Sequence, residues 1–149
     1  MKITIENLQK KIRINHARIL RAVKKTFLYK KVEGATLSVV FVTDQRIKAL
    51  NKKYLKREYT TDVLSFDLRE NLKVTKNVEG EIIISTDTAK RNARIFGTSV
   101  NREIVLYVVH GILHLLGFDD HTPGQIKRMR GEERKILNLL ENPPARKKT

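Results

Sequence analysis

Residues 104–116 read IVLYVVHGILHLL, and the placement of this stretch decides the fold. Only His110, Gly111 and His114 interrupt the apolar run. Apolar side chains fall at every helical phase, so a helix here has no polar face to turn to water. A helix that is apolar on every side is buried on every side. Gly117 can take the left-handed conformation that ends a helix. The pattern therefore predicts a central helix over residues 101–116 with the other elements laid around it.

Outward toward the C-terminus, Thr122, Pro123 and Gln125 form a helix start: a capping hydroxyl, a proline at the first helical position and a capping-box partner. Ile126, Met129, Ile136, Leu137 and Leu140 give that last helix an inner face. Toward the N-terminus, residues 86–96 predict a helix begun by Thr86 or Asp87, running through Ala89, Ala93 and Phe96 and stopped by Gly97. Residues 2–6 (KITIE), 35–43 (ATLSVVFVT), 61–68 (TDVLSFDL) and 81–85 (EIIIS, entered through Gly80) read as strands. Asn15 caps a helix to Tyr29 with Leu20, Val23 and Phe27 on one face. Asp44 caps another with Ile47, Leu50 and Tyr54 inward.

Strands and helices mix without regular βαβ alternation. The expectation is an α+β domain: one mixed sheet of about four strands packed with about five helices, and a metal site at the C-terminal end of the buried helix. Residues 1–141 are expected to form a single metal-dependent hydrolase domain and residues 142–149 a basic disordered tail.

Hydrophobic residues make up 40% of the 149 and charged residues 32%, which is the balance of a soluble globular chain. There is no cysteine, so a metal must be held by His, Asp or Glu. The run 104–116 is too short to span a bilayer, and no secretory signal is visible at the N-terminus. The expected location is cytoplasmic, with no membrane partner. The formal charge is +15, from 31 Lys+Arg against 16 Asp+Glu. Thermophile composition enriches Glu along with Lys, and here Glu does not keep pace. The excess points to a polyanion, RNA or DNA, as partner. At 6% the aromatic content is too low to suggest a base-stacking platform.

Three of the four histidines lie in residues 110–121, HGILHLLGFDDH. His110 and His114 are four apart on a helix, so their rings project from one face a turn apart and can reach one metal ion. The turn permitted by Gly117 brings His121 back toward them. Three neutral imidazoles with an open fourth position suit one catalytic zinc ion, with other divalent transition metals such as nickel, cobalt or iron as alternatives. A lone buried histidine is ordinarily a hydrogen-bonded core residue, but two in an apolar helix and a third past a glycine turn are harder to explain that way. His16 stands apart in a Lys/Arg-rich helix and reads as a surface residue.

The spacing resembles the extended zinc site of metzincin proteases, H-E-x-x-H-x-x-G-x-x-H, with one departure. Gly111 stands where a protease keeps its Glu general base. A zincin-like metallopeptidase is therefore disfavoured, by Gly111 and by the positive charge.

HGILHLLGFDDH also resembles the H-G-x-L-H-L-x-G-[FY]-D-H signature of the YbeY family, bacterial metal-dependent endoribonucleases of rRNA maturation. LNKKYLKREYTTDVLSFDL (residues 50–68) is similar to that family's L-N-x-x-Y-R…P-T-D-V-L-S-F-P block. GEIIISTDTAKRNA (residues 80–93) is similar to its G-[DE]-I-x-I-S…A block. The blocks match in order and spacing over roughly residues 35–140. The resemblance implies a Zn2+-dependent, single-strand-specific endoribonuclease, with 16S rRNA and the small ribosomal subunit as partners. It implies a role in 16S rRNA 3′-end processing, ribosome maturation and rRNA quality control.

By position, the resemblance makes His110 and His114 the first two ligands. This chain has Asp119 and Asp120 where the family has one Asp, so His121 comes one residue late. His121 is still expected as third ligand, with Asp120 as the fallback oxygen donor. The family's Arg after Tyr is replaced by Leu55, which leaves Lys56 and Arg57 as candidate catalytic cations, with solvated helix-end charges as their alternative role. Its Pro is replaced by Thr60. Asp62 and Ser65 are expected to line the cleft or hydrogen-bond the ligand imidazoles, with support of the strand as the alternative. A metal-activated water and the RNA 2′-hydroxyl are both open as nucleophile. An RNA- or ribosome-binding assembly factor with a structural metal is the non-enzymatic alternative.

Overall fold

The computed structural model describes residues 1–55, 62–71 and 76–142. The chain runs β1 (Lys2–Asn7), α1 (His16–Tyr29), β2 (Gly34–Val42), α2 (Asp44–Leu55), β3 (Val63–Asp67), β4 (Asn77–Ser85), α3 (Thr86–Phe96), α4 (Val100–Leu115) and α5 (Pro123–Glu141). The strands form one mixed sheet in the order β1-β2-β4-β3. β1, β2 and β4 are parallel, and β3 closes the edge antiparallel to β4 with Leu64 opposite Ile83. This is the α+β architecture expected from the sequence.

Sheet register follows from period-two burial. Leu37, Val39 and Phe41 of β2 and Val78, Ile82 and Ile84 of β4 point into the main core, beneath α1, α4 and α5. Val40, Val42, Ile83 and Leu64 point the other way, into a smaller core with Ile47 of α2. Both faces are covered, which is why these strands read as nearly continuous apolar runs rather than alternating ones.

α4 is the hub. It packs against α1, α3, β3, β4 and α5, and nearly all of its apolar residues are buried. It approaches the sheet closely at Gly111, where an added Cβ would lie 2.8 Å from Ile82 Cγ2. Ser65 of β3 donates its hydroxyl to the Gly111 carbonyl oxygen at 3.1 Å, fixing the helix over the sheet edge.

Three local expectations are corrected. Thr43, not Asp44, caps α2: its carbonyl oxygen accepts from the Ile47 N–H at 3.0 Å and its hydroxyl oxygen from the Arg46 N–H at 3.3 Å. Asp44 instead accepts from the hydroxyls of Ser85 and Thr88 and from Arg91, tying α2 to the start of α3. Tyr54 is 56% exposed rather than inward, because α2 has run past the small core there and its ring rests edge-on against Phe66. β4 begins at Asn77, before Gly80, because parallel pairing with β2 continues down to Gly34. The basic stretch from residue 143 onward lies outside the described residues.

Candidate metal centre and cleft

The two ends of the turn after α4 place the site. Gly117 sits at φ 96°, in the left-handed region. The Gly117 N–H donates to the His114 carbonyl oxygen and the Phe118 N–H to the Leu113 carbonyl oxygen, both at 3.0 Å. That double closure reverses the chain immediately. A few residues later Thr122 caps α5 through the reciprocal bond with Gln125. The segment between these fixed points crosses the end of α4 beside the histidines.

His110 Nε2 and His114 Nε2 face each other at 3.0 Å. Asp120 Oδ2 lies 3.5 Å from each of them. One donor atom from each of the three residues falls within 4.8 Å of the others, a group that could hold a metal ion. His121 is not brought into this group. Its side chain is exposed, and its backbone N–H donates to Gln125 Oε1 at 3.1 Å as part of the α5 cap. The capping box fixes the register of the turn, so the residue before His121 is the one that faces the imidazoles. Asp120, the fallback oxygen donor of the sequence reading, is the residue beside the two imidazoles, and His121 is not.

His110 is held from behind. Its Nδ1 lies 2.6 Å from Glu133 Oε1 of α5, whose carboxylate side chain is only 13% exposed. Such a contact turns Nδ1 into the donor and leaves Nε2 as the free lone pair. Burial alone would lower the His110 pKa, but the Glu133 hydrogen bond and the charges of Glu133, Asp62 and Asp120 outweigh it and raise it above the ordinary value.

The donor set fits a divalent transition metal. Two imidazole nitrogens and a carboxylate oxygen, with room for a further ligand on the open side, make a catalytic arrangement rather than a closed structural one. The open side is a cleft of about 350 Å³. Asp62, Tyr107, His110, Asp120, Arg130 and Glu133 are among the residues that line it. Tyr107, a turn before His110, accepts from Asn92 Nδ2 of α3 at 2.7 Å, and burial pushes its phenol pKa up. Ser65 bonds to α4 and is not among the residues lining the cleft. Lys56 and Arg57 lie outside the described residues.

The family model described as endoribonuclease YbeY matches residues 4–141. The chain belongs to this family. An endoribonuclease YbeY from Syntrophus aciditrophicus is 36% identical over 148 residues, covering 97% of this chain and 92% of that relative. One from Desulforamulus reducens is 37% identical over 151 residues, covering 94% and 97%. One from Aquifex aeolicus is 44% identical over 111 residues, covering 74% and 69%. A Thermotoga maritima protein solved in solution shares the fold at a TM-score of 0.64 and 26% identity, over 99% of both chains. Against the YbeY resemblance read from the sequence, the membership holds and the third member of the His group is where the structure differs.

Sequence reasoning passed over Glu133, Tyr107 and Arg130. Glu133 did leave a signal. It falls in phase with Ile126, Met129, Ile136 and Leu140 on the inner face of α5, a lone carboxylate in an apolar stripe. Such a group is costly to bury unless it has a partner.

Proposed function

We propose that this endoribonuclease works through one divalent ion, zinc, held by His110, His114 and Asp120. It acts on single-stranded RNA of the small ribosomal subunit. The observation that carries the metal assignment is the convergence of three donor atoms within 4.8 Å at the rim of a cleft. The open position suits the Lewis-acid role, in which a bound divalent ion acidifies a water or polarises a phosphate oxygen.

The chain's own residues do the rest. Glu133 fixes the tautomer and direction of His110. The close approach of Gly111 to Ile82 sets α4 tight against the sheet. Asp62 and Tyr107 also line the cleft. Gly111 has no room for the general base of a protease, which argues against peptide cleavage.

The net charge of +15 supports a nucleic-acid substrate. A cleft of this size suits a strand that can bend into it, and unpaired RNA does so more readily than a stiff duplex. The motif resemblance supports 16S rRNA 3′-end processing, ribosome maturation and rRNA quality control as the setting, in the cytoplasm. No helix among the described residues is long and apolar enough to cross a membrane. Residues 1–141 are taken as the catalytic domain.

Metal-loaded wild type should cut a single-stranded RNA oligonucleotide and spare the same sequence in a duplex, and His114→Ala should cut neither. Equal cleavage by His114→Ala, or cleavage untouched by a chelator, would overturn the metal assignment.

A further inference from the structure

We propose that Arg130 is the phosphate-gripping cation of the cleft, binding the non-bridging oxygens of the RNA phosphate presented to the metal centre. The inference rests on the metal-centre reading above and adds a residue to it.

Asp62, Asp120 and Glu133 all line the cleft, and an RNA phosphate entering it meets three carboxylates. A bound divalent ion would answer part of that negative charge. Arg130 is the one Lys or Arg side chain among the described residues lining the same cleft. It lies on α5, three residues before Glu133, so it stands about one turn away on the helix that also orients His110. It is exposed, and no ion pair or hydrogen bond engages its guanidinium among the described residues. Other arginines are committed: Arg69 to Asp67, Arg91 to Asp44, Arg102 to Glu141.

Geometry favours arginine for the task. A planar guanidinium presents paired N–H donors that match two phosphate oxygens, which an ammonium does not. The cleft is of small-ligand size, so a phosphodiester held at the metal centre lies in the same cleft that Arg130 lines. Negative charge builds on those oxygens as the bond breaks, and a preplaced cation then acts most strongly. The alternative role for Arg130 is a solvated surface charge with no part in turnover.

The test uses the full chain. Arg130→Gln should lower kcat/KM on single-stranded RNA by about a hundredfold, with Arg130→Lys falling between it and wild type. Metal content and thermal midpoint should not change, since the side chain has no structural partner to lose. Binding is read separately, by anisotropy of a labelled single-stranded RNA in a His114→Ala background. There Arg130→Gln should make the slope of log affinity against log salt shallower by about 0.7, the share of one phosphate contact. Lys127→Gln, on an exposed α5 position outside the cleft lining, serves as the generic-charge control and should leave kcat within about twofold.

Wild-type kinetics in Arg130→Gln, or equal losses of kcat/KM in Lys127→Gln and Arg130→Gln, would overturn the proposal. A wild-type protein that fails to cut RNA would sink the metal-nuclease reading instead, and the salt slope would still decide Arg130.

Discussion

Glu133 of α5 reaches His110 of α4 at 2.6 Å, Oε1 to Nδ1, so the ring at the metal centre is aimed by a helix that begins only after the turn. α5 thus acts twice. Its cap sets the register that turns Asp120 inward, and its inner face supplies the carboxylate behind His110. On the proposed metal assignment, metal affinity is coupled to the docking of α5 on α4.

Glu133→Gln keeps the shape of the side chain and removes its charge. The expected outcome is a metal affinity about 10- to 100-fold weaker, the usual effect of losing such a supporting contact. Competition with a chelating dye measures it. Unchanged affinity would mean that His110 is oriented by its own packing.

The pH response should differ in sign between metal-free and metal-loaded protein. The folded-state pKa of His110 stands above its ordinary value of 6.5. In metal-free protein the stability from this group is complete below that ordinary value and is lost as pH rises through the higher folded one. Metal binding needs the unprotonated ring, so the loaded protein loses its ion, and the stability that comes with it, as pH falls through the same window. Thermal midpoints from about pH 6 to about pH 9, each referenced to Glu133→Gln, should slope downward with chelator and upward with zinc. Parallel slopes would contradict the assignment.

Gly111→Ala tests the close approach of α4 to the sheet. Alanine favours a helix interior by about 1 kcal/mol over glycine. The new Cβ, however, would meet Ile82 Cγ2 at 2.8 Å, and Ile82 is fully buried. Overpacking of this kind costs about 1–3 kcal/mol. The expected net result is a midpoint lowered by a few degrees (roughly 2–5 °C for a domain this size). A stabilised variant would show that the helix can lift off the strand without loss.

What the sequence disclosed and what it withheld divide along physical lines. α4, the Gly117 turn and the Thr122–Gln125 cap were legible because each is set by neighbours within a turn or two of chain. The His110–His114 pair was legible for the same reason, since helical spacing alone brings it together. The third donor was not, because choosing between Asp120 and His121 requires knowing how two fixed ends divide the residues between them. Tyr54 misled because helical phase says which side a residue is on and not where the core beneath it stops. Asp62 could be placed near the site by motif, whereas Glu133 and Arg130 arrive from a distant stretch and became visible only when α5 was laid against α4.

The most direct measurement is elemental analysis of protein purified without added metal, comparing wild type with Asp120→Ala and His121→Ala. About one divalent ion per chain is expected in wild type and in His121→Ala, with most of it lost from Asp120→Ala. An ion retained by Asp120→Ala and lost from His121→Ala would contradict the two-histidine, one-carboxylate centre and return the third position to the imidazole.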